Sequence, residues 1–550
     1  MLKLKSSNNT HTLLCMATHM TQAIKNNWKI ALLLAMWAIV TLFLVSPDSY
    51  THDLYQRNNS AWFFMCGKAW MNGMVPYVDF SDSKGPLLWL VYGMGYLLSH
   101  YNYVGVFWIT CVLYTVVFFF VYKLAFLFLN NKRQSMLCTI VMTLFFFNGL
   151  YHREIKSEDI AQPFMMGAIY FTSLLLYGGE TNGKTVKRSM MWLGLCFGAT
   201  FLIKYNMALI SVTFIVYALI ALRRDGHKLL PAMGWLGAGV AVVWTPFLLY
   251  FIISGNLQAF AFEYFVNVFH TVSKVGTQGD NFIDGLFTKL IVNAVPLTVQ
   301  SIATLSPLVI IYMKRLRSFP LVAFVVAAVI NCGNGVLIYY FNNINGLVTF
   351  GVISLIIMAR NHKHHPWPRY AMPMVMGFVL LTATLINNDR GGNYFTQNGT
   401  RRSIFYYYAS LMTQVKNPSI VYYRCMPNPE FGVVNNALPG CKYWALQAGA
   451  TKAMFAEQDR AIENRKPDFV AVGVGDKKSI GKLTALGYHS HKHSSRDNIF
   501  VLFSKQQLVE VPEDIEVSNL EVLSKAHFTR ERAMQALPTQ QKKKMQQIIN

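Results

Sequence analysis

The sequence predicts a mainly α polytopic membrane protein of about eleven transmembrane helices, carrying a small C-terminal extracytoplasmic α/β domain. Three observations lead there. Of 550 residues, 53% are hydrophobic and only 14% are charged, where a soluble domain carries roughly a quarter charged. Apolar runs long enough to cross a bilayer recur through the first 387 residues. Beyond residue 387 no such run remains and the charged residues return.

The first 27 residues are polar and basic. The run that follows, 28–46, is too long and too soon followed by others for a cleaved signal peptide, so it reads as a first membrane helix. Further runs lie at 103–129, 136–150, 161–177, 189–203, 207–222, 231–253, 290–312, 319–337, 342–359 and 369–386. The run 86–99 has 14 residues, too few to span, and reads as a juxtamembrane or partly inserted helix.

Charge sets the orientation. With a cytoplasmic N-terminus, nineteen Lys and Arg of residues 1–387 fall inside and eight outside, while ten of the twelve acids fall outside. That is the positive-inside pattern at every inner loop. The segment 1–387 is thus a membrane domain with a first outer loop at 47–86. An odd number of crossings leaves 388–508 outside. There Pro418–Tyr423, Pro467–Gly473 and Ile499–Phe503 read as strands separated by helical stretches, a small α/β domain. Residues 509–550 are a polar tail, helical or loosely ordered. The net charge of +23 is accounted for by membrane orientation and the basic outer domain, so nothing asks for nucleic acid. Eight cysteines form no disulfide framework and no CxxC pair. Cys425 and Cys441 lie where a disulfide is permitted, and the sequence leaves their pairing open.

Polar groups beside a bilayer are costly unless they serve something. The outer acids concentrate in two places. The loop after the first run holds Asp48, Asp53 and an amphipathic stretch, Trp62–Gly73, expected to lie along the membrane surface. It ends in Pro76-Tyr-Val-Asp-Phe-Ser-Asp-Ser-Lys-Gly-Pro86, whose prolines and glycine turn Asp79, Asp82 and Lys84 together. Asp48 and Asp79 read as solvated loop charges. Lys84, between tight turns and just ahead of an apolar segment, suits a lipid phosphate. The second place is His152-Arg-Glu-Ile-Lys-Ser-Glu158-Asp159, where Ser157 could cap a helix opening on the two acids. A capping role and a functional one are both open there. Lys204 sits at the outer end of another run, where it serves a site or only snorkels. Glu263, Asn267 and His270 follow Pro246 on the same side and receive no role.

Acids and cations gathered on one membrane face suggest transfer of a sugar carried on a polyprenyl phosphate. Such transfer needs a carboxylate to take a proton from an acceptor hydroxyl and cations to stabilise the departing phosphate. No Gly-rich phosphate loop and no DxD-type nucleotide site is seen.

Taken together, the outer-loop acids, the amphipathic helix, Gly73-Met-Val-Pro-Tyr-Val-Asp-Phe-Ser-Asp-Ser-Lys-Gly-Pro, Ser157-Glu-Asp and Ile203-Lys-Tyr-Asn resemble one family. It is the bacterial GT-C glycosyltransferases of the ArnT and protein-mannosyltransferase-like superfamily, in a branch common in Bacteroidetes envelopes. The resemblance implies an inner-membrane glycosyltransferase with a periplasmic C-terminal domain. It implies a polyprenyl-phosphate sugar donor, inversion at the anomeric carbon and no cofactor. The acceptor would be a glycan, a lipid or a protein. Lys84 takes the phosphate-binding role, with Arg153 and Lys204 assisting, and Glu158, with Asp159, that of the second acid. The family's first acid falls on Asn59, so Asp53 or the Glu158 and Asp159 pair would supply the carboxylate, or activity is lost. A transporter or lipid-glycan flippase is the rival class, but it would place charges near the midplane and show repeated halves.

Overall fold

The computed structural model describes residues 28–46, 48–49, 58–147, 155–179, 182–267, 318–333, 345–361, 378, 399–425, 430–446, 450–496 and 498–513. Asp53, Arg153, His270, the run 290–312, almost all of 369–386 and residues 514–550 lie outside the described residues.

Among the described residues, six helices are long and apolar enough to cross a membrane: α1 (Trp28–Val45), α4 (Val104–Leu129), α6 (Ser157–Tyr177), α7 (Gly183–Ile203), α8 (Tyr205–Arg224) and α9 (Leu229–Ile253). Each coincides with one of the apolar runs. Between them, α2 spans Asn58–Met71, α3 Pro86–Leu98 and α5 Lys132–Phe146. Then come a short α10 (Leu257–Ala261), α11 (Phe319–Gly333) and α12 (Asn345–Asn361). Local chemistry fixes the ends. Asn130 closes α4 in the left-handed region (φ 47°), and the Asn131 side chain accepts the Gln134 N–H (3.1 Å) to open α5. Asn182 caps α7 in the same way, accepting from the Thr185 N–H at 2.9 Å. Helices α7 and α9 cross in contact: a Cβ on Gly194 would lie 2.0 Å from Leu236 O, and one on Gly239 2.0 Å from Met191 O. Small residues permit that approach where no water drives helices together.

The chain alternates direction through α4 to α9. Lys132, Arg133, Lys184, Lys187, Arg188, Arg223, Arg224 and Lys228 therefore gather at one end of the bundle. The opposite end carries the start of α6, the junction of α7 and α8, the loop before α3 and the turn after α9.

The stretch expected on the membrane surface is instead buried. In α2, Ala61 to Cys66, Lys68 and Ala69 are all buried, because the helix is apolar around its whole circumference there. Helix α3 covers one side, and α14 (Glu430–Val433) and β2 (Leu438–Pro439) cover the other. Lys68 donates to Gly432 O (2.7 Å) and Asn435 O (2.8 Å), fastening α2 to that cover.

The C-terminal segment folds around a five-stranded sheet of order β2-β1-β3-β5-β4. Its other strands are β1 (Ser419–Tyr422), β3 (Phe469–Gly473), β4 (His489–His491) and β5 (Phe500–Ser504). Strand β1 is parallel to β2 and β3, while β5 is antiparallel to β3 and β4. Every residue of β5 is buried, so both faces are covered. Helix α13 (Gly399–Met412) packs there, with Tyr408 donating to Phe500 O at 2.7 Å. Helices α15 (Lys452–Glu463) and α16 (Lys477–Ala485) complete the layer. Asp468, in the Pro-Asp-Phe-Val run, accepts the Ser419 N–H (2.9 Å) and aligns β3 with β1. Cys425 and Cys441 are free thiols.

Candidate functional site

The loop before α3 is built by its own turn chemistry. The Tyr77 N–H bonds Phe80 O (2.7 Å), and Tyr77 has φ 68°, in the left-handed region. A non-glycine residue holds that conformation only where packing enforces it. Here the Tyr77 ring is buried against Trp89, Phe251, Phe260 and Tyr264. Asp79 accepts the Val75 N–H (2.7 Å) and closes the turn. Beyond it the chain is pinned on two sides. The Ser81 N–H bonds Lys442 O (2.9 Å), and the Gly85 N–H bonds Ile203 O (3.1 Å). Only glycine fits at 85, since a Cβ would lie 2.0 Å from Leu202 O. The loop carrying Lys84 therefore lies against the end of α7 that carries Lys204. Lys84 is half-buried, and its ammonium donates to Ser83 Oγ at 3.0 Å.

Lys204 stands in extended conformation at the break between α7 and α8 (φ −157°). It is buried, and its Nζ lies 2.5 Å from Oε1 of Glu158, also buried, at the start of α6. Ser157 Oγ donates to the other Glu158 oxygen at 2.8 Å. Asp159 is held differently: Oδ1 accepts from Tyr114 OH (2.6 Å) and Oδ2 from the Lys156 N–H (2.8 Å). The helix cap is consequently Lys156, one residue before the expected Ser157, because Asp159 reaches back to that N–H. Asp48, expected in solvent, is buried, with Oδ2 3.4 Å from the Ile155 N–H. Asn59 is an exposed residue in the first turn of α2.

Sequence reasoning assigned no role to Glu263, which the structure makes a hub. It lies in a π-helical turn, Phe262–Asn267, of a kind frequent at functional sites. The carboxylate is 3% exposed. Oε1 takes Lys442 Nζ (2.6 Å) and Tyr443 OH (2.7 Å), while Oε2 takes Asn267 Nδ2 (2.8 Å) and Ser81 Oγ (3.0 Å). Burial alone would raise its pKa, but the bonds from Lys442, Asn267 and Tyr443 outweigh it and hold the carboxyl below its ordinary value. The available signal was a single acid inside an otherwise apolar, aromatic stretch.

Glu263 also walls a cleft lined in addition by Trp62, Ser81, Asp82, Ser83 and Tyr443. Asp82 is buried. Its Oδ1 accepts the Ser83 N–H at 2.5 Å, whereas its Oδ2 is buried without any hydrogen-bond partner. The buried Trp62 indole N–H is directed to the Cys66 thiol. Among the described residues, no three metal-ligating side chains converge.

Residues 83–250 match the family described as dolichyl-phosphate-mannose-protein mannosyltransferase, a stretch that includes Lys84, Glu158 and Lys204. No curated protein matches the chain in sequence. Among solved structures, the chain is similar to ArnT from Cupriavidus metallidurans bound to undecaprenyl phosphate. That likeness has a TM-score of 0.54 and 12% identity, over 88% of this chain and 98% of that one. ArnT from the same organism in the apo state gives 0.56 and 12%, over 87% and 98%. Identity that low speaks to architecture alone, and the architecture of this chain is the GT-C fold of ArnT.

Proposed function

We propose that the chain is a membrane glycosyltransferase that moves a sugar from a polyprenyl-phosphate donor to an envelope acceptor. The observation that carries this reading is the hydrogen bond from Gly85 to Ile203, which sets Lys84 beside the Lys204 end of α7. Two lysines meeting at a membrane-facing helix end suit a lipid phosphate. The undecaprenyl phosphate held by the ArnT structure supports that donor class for this fold.

In this reading the basic turns of the bundle face the cytoplasm, and the site faces the periplasm of a bacterial inner membrane. Residues 1–387 are the membrane domain, 388–508 the extracytoplasmic domain over the site, and 509–550 a tail. Lys84 holds the donor phosphate as charge develops on the leaving oxygen. Lys204 supports it, oriented by Glu158. A phosphate arriving at Lys204 shares that ammonium with Glu158, whose carboxylate holds it in place. Asp159, with both oxygens engaged, positions the start of α6. Arg153 and Asp53 join the site as a further cation and a further carboxylate.

The test is transfer by the full chain in lipid nanodiscs, supplied with undecaprenyl-phosphate sugars. Lys84→Ala and Glu158→Gln should each abolish transfer. Normal rates in both variants would sink the assignment.

A further inference from the structure

We propose that the cleft beside Asp82 is the acceptor subsite, that it takes a carbohydrate, and that Asp82 receives the proton of the attacking hydroxyl. The proposal rests on the glycosyl-transfer reading above and names the acceptor class for the same site.

Position is the first argument. Asp82 and Lys84 belong to one loop, pinned at Ser81 to Lys442 and at Gly85 to Ile203. An acceptor oxygen at Asp82 and a donor phosphate at Lys84 would thus flank a single reacting carbon. Satisfaction of polar groups is the second. A buried carboxylate oxygen without a partner is costly in a folded protein, yet Asp82 presents one on this cleft. A ligand hydroxyl, able to donate a hydrogen bond, satisfies it.

The lining decides the ligand class. Two carboxylates, Asp82 and Glu263, stand on the cleft, and Glu263 already holds the Lys442 ammonium. An anionic acceptor group would be repelled by Asp82. Trp62 and Tyr443 supply aromatic surface, and Asn267 an amide. Aromatic rings interleaved with carboxylate and amide groups suit a neutral polyol, whose C–H faces are apolar and whose rim is hydroxyl.

The step balances as one displacement. The acceptor O–H bond breaks and its proton passes to Asp82. The acceptor oxygen forms a bond to the anomeric carbon, and the bond from that carbon to the phosphate oxygen breaks. The electron pair leaves on the polyprenyl phosphate, beside Lys84.

The full chain in nanodiscs would be given undecaprenyl-phosphate mannose, glucose, galactose or arabinose in turn. Methyl glycosides or a short Ser/Thr peptide would serve as acceptors. We expect transfer to a glycoside and saturation-transfer NMR contact with it. Asp82→Asn should lower kcat by about 100-fold or more and leave undecaprenyl phosphate binding unchanged. Trp62→Phe should raise KM for the glycoside more than it lowers kcat. An Asp82→Asn rate within about threefold of wild type would overturn the proton-acceptor role. Transfer to the peptide alone, or donor binding without contact or transfer to any glycoside, would overturn the carbohydrate assignment. A wild-type protein that fails to bind undecaprenyl phosphate fails earlier, at the donor reading itself, and takes this proposal with it.

Discussion

Replacing Glu263 probes the joint between bundle and sheet layer. Four side chains from three parts of the chain converge on it: Ser81 from the loop, Asn267 from the π turn, and Lys442 and Tyr443 from the segment after β2. Glu263→Ala leaves Lys442 without its counterion and takes an acceptor from Ser81, Asn267 and Tyr443. Removing one partner of a buried ion pair costs about 3–5 kcal/mol. Lys442 retains 22% side-chain exposure and can turn to water, which argues for the lower end, about 3 kcal/mol. At about 1.4 kcal/mol per decade, local opening should rise on the order of 100-fold. Glu263→Gln keeps an acceptor but loses the charge, costing about 2 kcal/mol. Hydrogen exchange by mass spectrometry over 76–85, 257–267 and 440–446 reads this directly. A change below about threefold in all three segments would refute the reasoning. The sign with pH follows from the lowered pKa. The contribution is complete above the unfolded carboxyl value of about 4.3 and is lost as pH falls through the lower folded value. Protection should therefore hold at neutral pH and collapse only in acid, and Glu263→Gln should lack that collapse.

Lys204→Met should destabilise the purified protein by about 3–5 kcal/mol, because the buried Glu158 loses the ammonium paired with it. Adding Glu158→Gln should recover most of that loss, a coupling readable from unfolding midpoints of the four proteins. Gly85→Ala should abolish undecaprenyl phosphate binding by forcing the loop off Leu202 O. Gly73→Ala, at φ 89° with nothing within 4 Å, should cost only about 1 kcal/mol and spare binding. Burial lowers the Lys68 pKa to about 7, so the unfolded chain holds more protons between there and its ordinary value. Stability should accordingly climb as pH rises above 7, and Lys68→Met should flatten that climb in thermal unfolding scans.

Much of the bundle was legible because a membrane demands length. Runs such as 103–129 and 231–253 declare their helices without reference to anything else in the chain. The short run at 86–99 likewise became α3, opened by Pro86 at a position proline favours. Tertiary pairing was not legible. Lys204 alone looked like a snorkelling cation and Glu158 alone like a helix-start acid, yet they bond across 46 residues of sequence. Helix α2 looked fit for a lipid surface because its cover arrives only with residues 430–439, far along the chain. Glu263 was passed over for the same reason, since Lys442 and Tyr443 are distant in sequence. The shift of the α6 cap from Ser157 to Lys156 is smaller in scale: both residues precede the same two acids, and side-chain reach decides between them.

The clasp of Lys68 on Gly432 and Asn435 bears on how such a protein can diversify. Exchange of C-terminal segments between relatives is one route to diversity. Here a transplanted segment must still offer two carbonyl oxygens to a lysine in the first third of the chain, and a backbone oxygen to Ser81. The structural unit is thus discontinuous: α2 and the 76–85 loop must travel with residues 430–446. Recombination at any single breakpoint between them would produce chimaeras with a severed joint, so change in this lineage should proceed by matched substitutions rather than by shuffling.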